Sequence, residues 1–156
     1  MRCFLLPALL FATSLAGISS GAILTGVDEG AGPHVKVFPS SGGAATGSFF
    51  AYDPGFSGGV RVATGDVNGD DQPDIVTGAG PGAEVKSFFA TTPSFTGGVF
   101  VASGDVDNNG LGDIVVGTDS GIVSEVHVFT GDAPSLLLSF APYGTASTGG
   151  VRVAAG

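Results

Sequence analysis

The chain has 156 residues, 28 of them glycine, with no tryptophan, one cysteine and only 12% charged side chains. Five Lys and Arg stand against fourteen Asp and Glu, a formal net charge of −9. That length suits one modest domain, and so acidic a chain offers no electrostatic footprint for nucleic acid or anionic lipid; it attracts cations instead.

Residues 1–22 read as a secretory signal peptide. Arg2 opens the segment, Phe4 to Ala16 is apolar, and Gly17-Ile18-Ser19-Ser20-Gly21-Ala22 supplies a small-residue exit. The competing structural readings are a buried N-terminal strand and a membrane anchor. The stretch is short and broken by Pro7, which argues against the anchor. Cleavage after Ala22 removes Cys3, the single cysteine, and leaves Lys36, Arg61, Lys86 and Arg152 as the basic residues. The mature chain is then expected outside the cell or at its surface, without membrane insertion. An exported domain lacking disulfides needs another source of stability, and metal ions are one.

From residue 23 onward the chain repeats itself. Val60-Arg61-Val62-Ala63-Thr64-Gly65-Asp66-Val67 recurs 39 residues later as Val99-Phe100-Val101-Ala102-Ser103-Gly104-Asp105-Val106. It begins again as Val151-Arg152-Val153-Ala154-Ala155-Gly156, another 52 residues on. Upstream, Ser48-Phe49-Phe50-Ala51 matches Ser87-Phe88-Phe89-Ala90, and each leads through a Pro and a Phe to Gly-Gly-Val. Downstream, Asp74-Ile75-Val76-Thr77-Gly78 matches Asp113-Ile114-Val115-Val116-Gly117, and Ile23-Leu24-Thr25-Gly26 matches both without the leading Asp. Next come His34-Val35-Lys36-Val37-Phe38, Glu84-Val85-Lys86 and Glu125-Val126-His127-Val128-Phe129, whose alternation is that of half-buried strands. Each repeat is thus three or four short strands in about 40 to 52 residues. Such a unit cannot bury its apolar face alone and must stack on its neighbours, which is the logic of a β-propeller blade.

Two loops carry the chemistry. The first places Asp66, Asn68, Asp70 and Asp74 at relative positions 1, 3, 5 and 9; the second places Asp105, Asp107, Asn109 and Asp113 at the same positions. Alternate spacing on a tightly curled loop turns these oxygens toward one point, and position 7, Gln72 or Leu111, can add a backbone carbonyl. An all-oxygen set of this density suits a hard cation, and flexible high coordination suits Ca²⁺ better than Mg²⁺. Two carboxylates about 4 Å apart repel by roughly 4 kcal/mol at an effective dielectric of 20, so a cation turns a liability into a stabilising feature. Solvated Asp/Asn/Gly turns are the plain alternative; two identically spaced loops between matched strands favour metal. Neither loop is an EF-hand, because position 12 is Thr77 or Val116 rather than Glu and strands flank the loops.

Strand, Gly-Asp-x-[Asn/Asp]-x-[Asn/Asp]-Gly-x-x-Asp-Ile-Val, then Gly-Ala-Gly-Pro, resembles the FG-GAP repeat of integrin alpha-subunit propellers and of many exported bacterial proteins. The resemblance spans about residues 23–156. It implies an all-β fold, a partial propeller of about three antiparallel four-stranded blades, with Ca²⁺ in the loop between the first and second strands of a blade. The implied ligands are Asp66, Asn68, Asp70, Gln72 and Asp74, then Asp105, Asp107, Asn109, Leu111 and Asp113. Asp71 departs from the pattern where Gly110 keeps it. The first repeat has Ala22 in place of the last ligand and no loop before it. Two loop-bearing blades and two partial ones fall short of the four to eight of a closed propeller. The expectation is therefore a fragment of a longer protein, an open arc, or a subunit closing by association, with a truncated reading frame favoured.

Other motifs are discounted. Gly17-Ile18-Ser19-Ser20-Gly21 has the G-x-S-x-G form of a hydrolase elbow but sits in the export segment. Gly78-Ala79-Gly80-Pro81-Gly82 lacks the Lys and helix of a phosphate loop. His34 and His127 fall at polar strand positions and are expected to face solvent. Phe49, Phe50, Phe88, Phe89, Phe129 and Phe140 are expected to pack between blades. No catalytic constellation stands out, so the chain is not expected to be an enzyme. It is expected to bind calcium and to serve interaction with an extracellular protein or polysaccharide. The alternative is an accessory propeller in a larger exported, polysaccharide-degrading enzyme.

Overall fold

The computed structural model describes residues 9–12, 18–82, 95–131 and 134–156. The expected strand Glu84-Val85-Lys86, the Ser87-Phe88-Phe89-Ala90 match and most of the leader lie outside the described residues. Ten strands follow in order: β1 (Leu9–Ala12), β2 (Ile23–Gly26), β3 (His34–Phe38), β4 (Gly47–Phe50), β5 (Val60–Gly65), β6 (Asp74–Ala79), β7 (Val99–Gly104), β8 (Asp113–Thr118), β9 (Val126–Phe129) and β10 (Leu136–Phe140). Among the described residues no helix is long and apolar enough to cross a membrane.

The strands form three antiparallel sheets, β2-β3-β4, β1-β6-β5 and β10-β9-β8-β7. The last is a full four-stranded blade. Neighbouring sheets stack, with β2 against β5 and β5 and β6 against β7. This is the all-β partial propeller that the repeats imply, although only one sheet reaches four strands among the described residues. Among the described residues the first sheet has no counterpart of β5 or β7 beside β2.

Repeat equivalence extends to register. β5 meets β6 with Val62 opposite Thr77 and Gly65 opposite Asp74; β7 meets β8 with Val101 opposite Val116 and Gly104 opposite Asp113. The third strands also correspond. β9 lies on β8 with Val126 opposite Gly117 and Phe129 opposite Ile114. β1 lies on β6 with Leu9 opposite Gly78 and Ala12 opposite Ile75. Four residues of the expected leader thus occupy, in matching register, the slot that β9 fills in the complete blade.

Burial explains the sequence pattern. β8 is buried along its whole length and β6 nearly so, since sheets cover both faces, and both read as continuous apolar runs rather than alternating ones. Ile114, Val116, Val99, Val101, Val76 and Phe129 form the largest core cluster, which spans two sheets. The Gly-Gly pairs make this stacking geometrically accessible. At Gly98, φ is +82°, and an added Cβ would lie 2.7 Å from the Gly80 carbonyl carbon of the preceding blade. Only glycine tolerates both the left-handed backbone and the approach.

Several side-chain expectations change. His127 is buried rather than solvent-facing, because β9 is an interior strand with β10 beside it. His34 is half-buried, stacked on Phe50 at 4.9 Å and bonded to Ser48 Oγ at 2.7 Å. Phe129 packs in the core and Phe49 against it partly, but Phe50 and Phe140 are about half exposed. β10 is an outer edge strand, exposed at every residue, so Phe140 has no blade over it.

Candidate metal centre

The two acidic loops hang from equivalent hairpins, β5–β6 and β7–β8, and so emerge at the same end of adjacent sheets. Each is curled by its own side chains. In loop one Asp66 Oδ1 accepts the amide of Gly69 at 2.7 Å, and Asp66 Oδ2 that of Asp71 at 2.9 Å. In loop two Asp105 Oδ1 and Oδ2 accept the amides of Asn109 and Gly110, both at 3.0 Å. Asn68 Oδ1 accepts from the Asp70 amide at 2.9 Å as Asp107 Oδ1 does from Asn109 at 3.1 Å. Asp70 Oδ1 accepts from Gln72 at 2.9 Å as Asn109 Oδ1 does from Leu111 at 2.7 Å. The ninth-position carboxylate reaches back in both, with Val67 donating to Asp74 Oδ2 at 3.1 Å and Val106 to Asp113 Oδ2 at 2.9 Å.

Such curling needs left-handed residues. Gly69 and Asp71 have φ of 78° and 61°; Asn108 and Gly110, their equivalents, have 58° and 90°. Each loop therefore spends one glycine and one Asp or Asn on the same two positions, in opposite order. The strained position in loop two, Asn108, carries no expectation from sequence; its alignment with Gly69 is the signal. Asp and Asn are the non-glycine residues that reach this region most readily.

One difference separates the loops. In loop two the ligand oxygens of Asp105, Asp107 and Asp113 come within 4.8 Å of one another. Asp113 is fully buried, and its Oδ1 has no hydrogen-bond partner. A buried carboxylate oxygen facing two further carboxylates is costly unless a cation completes it. In loop one the corresponding oxygen, Asp74 Oδ1, accepts from Asn68 Nδ2 at 3.2 Å. Loop one thus satisfies internally what loop two leaves open, and its carboxylates do not form the same three-residue cluster. Asp74 is nonetheless electrostatically burdened. Desolvation, followed by the charges of Asp70 and Asp66, raises its pKa above the ordinary carboxylate value against the opposing Val67 hydrogen bond.

Of the expected ligands, the structure therefore gathers Asp105, Asp107 and Asp113 most tightly. Asn109 and Asp70 face inward as turn acceptors. Gln72 is exposed, and its side chain donates to the Asp71 carbonyl at 3.0 Å. Leu111 is half-buried, and its Cδ2 would sit 2.9 Å from a Cβ at Gly69. A further link escapes sequence reasoning: the Gly112 amide donates to the Asp66 carbonyl at 2.7 Å, tying the loops together. Loop one has Pro73 at that place, with no N–H to offer.

Comparison with known proteins agrees with the repeat. The FG-GAP repeat family matches residues 58–92, which take in the Gly58-Gly59 turn, β5, loop one and β6. No curated protein and no solved structure matches the chain.

Proposed function

We propose that this chain, whose residues 58–92 match the FG-GAP repeat family, is an exported calcium-binding propeller module that serves interaction with an extracellular protein or polysaccharide. The observation that carries the calcium reading is Asp113 Oδ1, buried and unpartnered beside Asp105 and Asp107. The donors are all oxygen, the charge is high and the loop is open to solvent through exposed Asp105 and Asp107, a set that fits a hard, flexibly coordinated cation. Asp105, Asp107, Asn109, the Leu111 carbonyl and Asp113 would hold one ion. Asp66, Asn68, Asp70, the Gln72 carbonyl and Asp74 would hold a second, more weakly. The ion would neutralise the convergent carboxylates and lock the two hairpin loops, which the Gly112–Asp66 hydrogen bond ties together.

Export rests on the charged start, apolar stretch and small-residue exit of residues 1–22. The interaction role rests on fold-level analogy with other propellers. The reading gives the chain no catalysis of its own. Calorimetric titration of the full chain with CaCl₂ and MgCl₂ tests the metal reading. Calcium is expected to bind with a Kd of about 10⁻⁴ to 10⁻³ M, the range of extracellular sites. Magnesium is expected to bind more weakly, and Asp105→Ala with Asp107→Ala to abolish the stronger event while circular dichroism stays that of the parent. Equal calcium heats in parent and double variant would overturn the assignment.

A further inference from the structure

Arg61, Phe100 and Arg152 are the second residues of the same Val-x-Val-Ala motif in three successive repeats. Stacking brings them together. β5 packs on β7, and residues 151–156 run along the next sheet, held by the Val151 amide donating to the Thr118 carbonyl at 2.8 Å. The Arg61 guanidinium carbon lies 4.7 Å from the Phe100 ring centroid, and that of Arg152 lies 4.9 Å from it. Two of the chain's five basic residues thus meet on one aromatic ring in a molecule of net charge −9. With Gly26, Asp28, Val62 and Val153 they border a cavity of about 410 Å³.

The two arginines are not equivalent. Arg61 is half-buried and bound to Asp119 Oδ2 at 2.8 Å and to the Ala79 carbonyl at 3.4 Å, so its charge is already matched. Arg152 is exposed and has no carboxylate partner among the described residues. Asp28 lines the same cavity without forming an ion pair with either arginine. The cavity therefore presents a guanidinium held against a ring, and a separate carboxylate outside any ion pair, whose Oδ1 accepts the Glu29 amide at 2.9 Å and whose Oδ2 is left for a ligand.

We propose that this cavity binds a hydroxylated carboxylate of hexuronic-acid size. Arg152 grips the carboxylate with its planar fork of donors, Phe100 holds that fork in place, and Asp28 accepts from a hydroxyl of the same molecule. The volume lies within the range of small-ligand sites. The site is built from β2 and the loop after it, from β5 and β7 and from residues 152–153, and contains no residue of the acidic loops.

The test is an NMR titration of the full chain in excess CaCl₂ with galacturonate, and with galactose as the uncharged control. Galacturonate is expected to shift the Arg152 Nε–H resonance saturably, and galactose to bind at least tenfold more weakly. Arg152→Ala, an exposed substitution, is expected to lose at least tenfold in galacturonate affinity and Arg152→Lys less. Asp28→Asn is expected to weaken binding severalfold while leaving the charge preference intact. A galacturonate response that Arg152→Ala retains would mean binding elsewhere, bridged by calcium at the loops, and would overturn the proposal. So would equal affinity for galactose, or the absence of any saturable shift.

Discussion

Exchanging one side chain between the loops separates a ligand role from a turn role. Asp107→Asn gives loop two the loop-one pattern, and Asn68→Asp does the reverse. In loop two the three ligand oxygens lie within 4.8 Å of each other. A pair of full charges at that separation repels by about 0.9 kcal/mol in water and about 3.5 kcal/mol at an effective dielectric of 20. Asp105 and Asp107 are exposed and Asp113 is buried. Removing the Asp107 charge deletes two such repulsions, and because Asp107 is exposed the water limit applies, so the calcium-free protein should gain about 2 kcal/mol. The Asn oxygen still accepts from the Asn109 amide, so the turn survives. In about 10 mM Ca²⁺, a site with a Kd of 10⁻⁴ to 10⁻³ M contributes roughly 1.4–2.7 kcal/mol. At about 2–4 °C per kcal/mol, that is an upward shift of roughly 3–10 °C in Tm.

Thermal melts of the full chain in EDTA and in calcium therefore read two opposite effects. Asp107→Asn should raise Tm in EDTA and cut the calcium increment by more than half. Asn68→Asp should lower Tm in EDTA, because it removes the Nδ2 bond to Asp74 and adds a charge, and should enlarge the calcium increment. Equal drops in both buffers for Asp107→Asn would show that Asp107 acts only as a turn acceptor, and the ligand argument would be refuted.

Three further outcomes follow from particular residues. Because the folded pKa of Asp74 is raised, the folded state holds this proton more tightly than the unfolded chain; in EDTA its contribution to stability is full below the ordinary carboxylate pKa and is lost as pH rises through the raised value. Stability-versus-pH curves of Asp74→Asn and parent in EDTA should differ by that slope, and a difference of opposite sign would contradict the assigned burial and charges. Burial pushes the Tyr52 hydroxyl, which donates to Thr77 Oγ1 at 3.2 Å, up to about 12 against the lowering effects of that bond and Arg61. Stability should accordingly fall between pH 10 and about 12, a slope that Tyr52→Phe abolishes in alkaline melts. Gly98→Ala should cost at least about 1–2 kcal/mol from its left-handed φ alone, plus the clash with Gly80, whereas Gly110→Ala, with open space around it, should show the strain term only; equal Tm losses would refute the close-packing role.

The repeats made the architecture legible, since an inner strand, a loop and a second strand recur with one spacing and pair with one register. They also placed the ligand candidates, because alternate acidic positions need a curled loop to converge. What they could not convey was relative satisfaction. Asp74 and Asp113 are the same residue at the same repeat position, yet one oxygen is capped by an amide and the other is not. That distinction depends on whether position 3 is Asn68 or Asp107, a pairwise effect across the loop rather than a property of any single position. The histidine expectation failed for a related reason. Alternation marks one face of a strand as polar, but β9 has β8 and β10 on its edges and cover on both faces, so His127 is buried whichever way it points.

The loops are also not independent modules. The Gly112 amide binds the Asp66 carbonyl, and Leu111 stands against Gly69, so the last turn of loop two is also the support of loop one. An ion held by the Leu111 carbonyl and Asp113 would therefore also steady Asp66, the first candidate ligand of the neighbouring loop. Coupling through this link would be reciprocal, so an ion held at either loop would leave the other with residues already steadied. Positive coupling in this form needs no change of shape, only a lower ordering cost for the second ion.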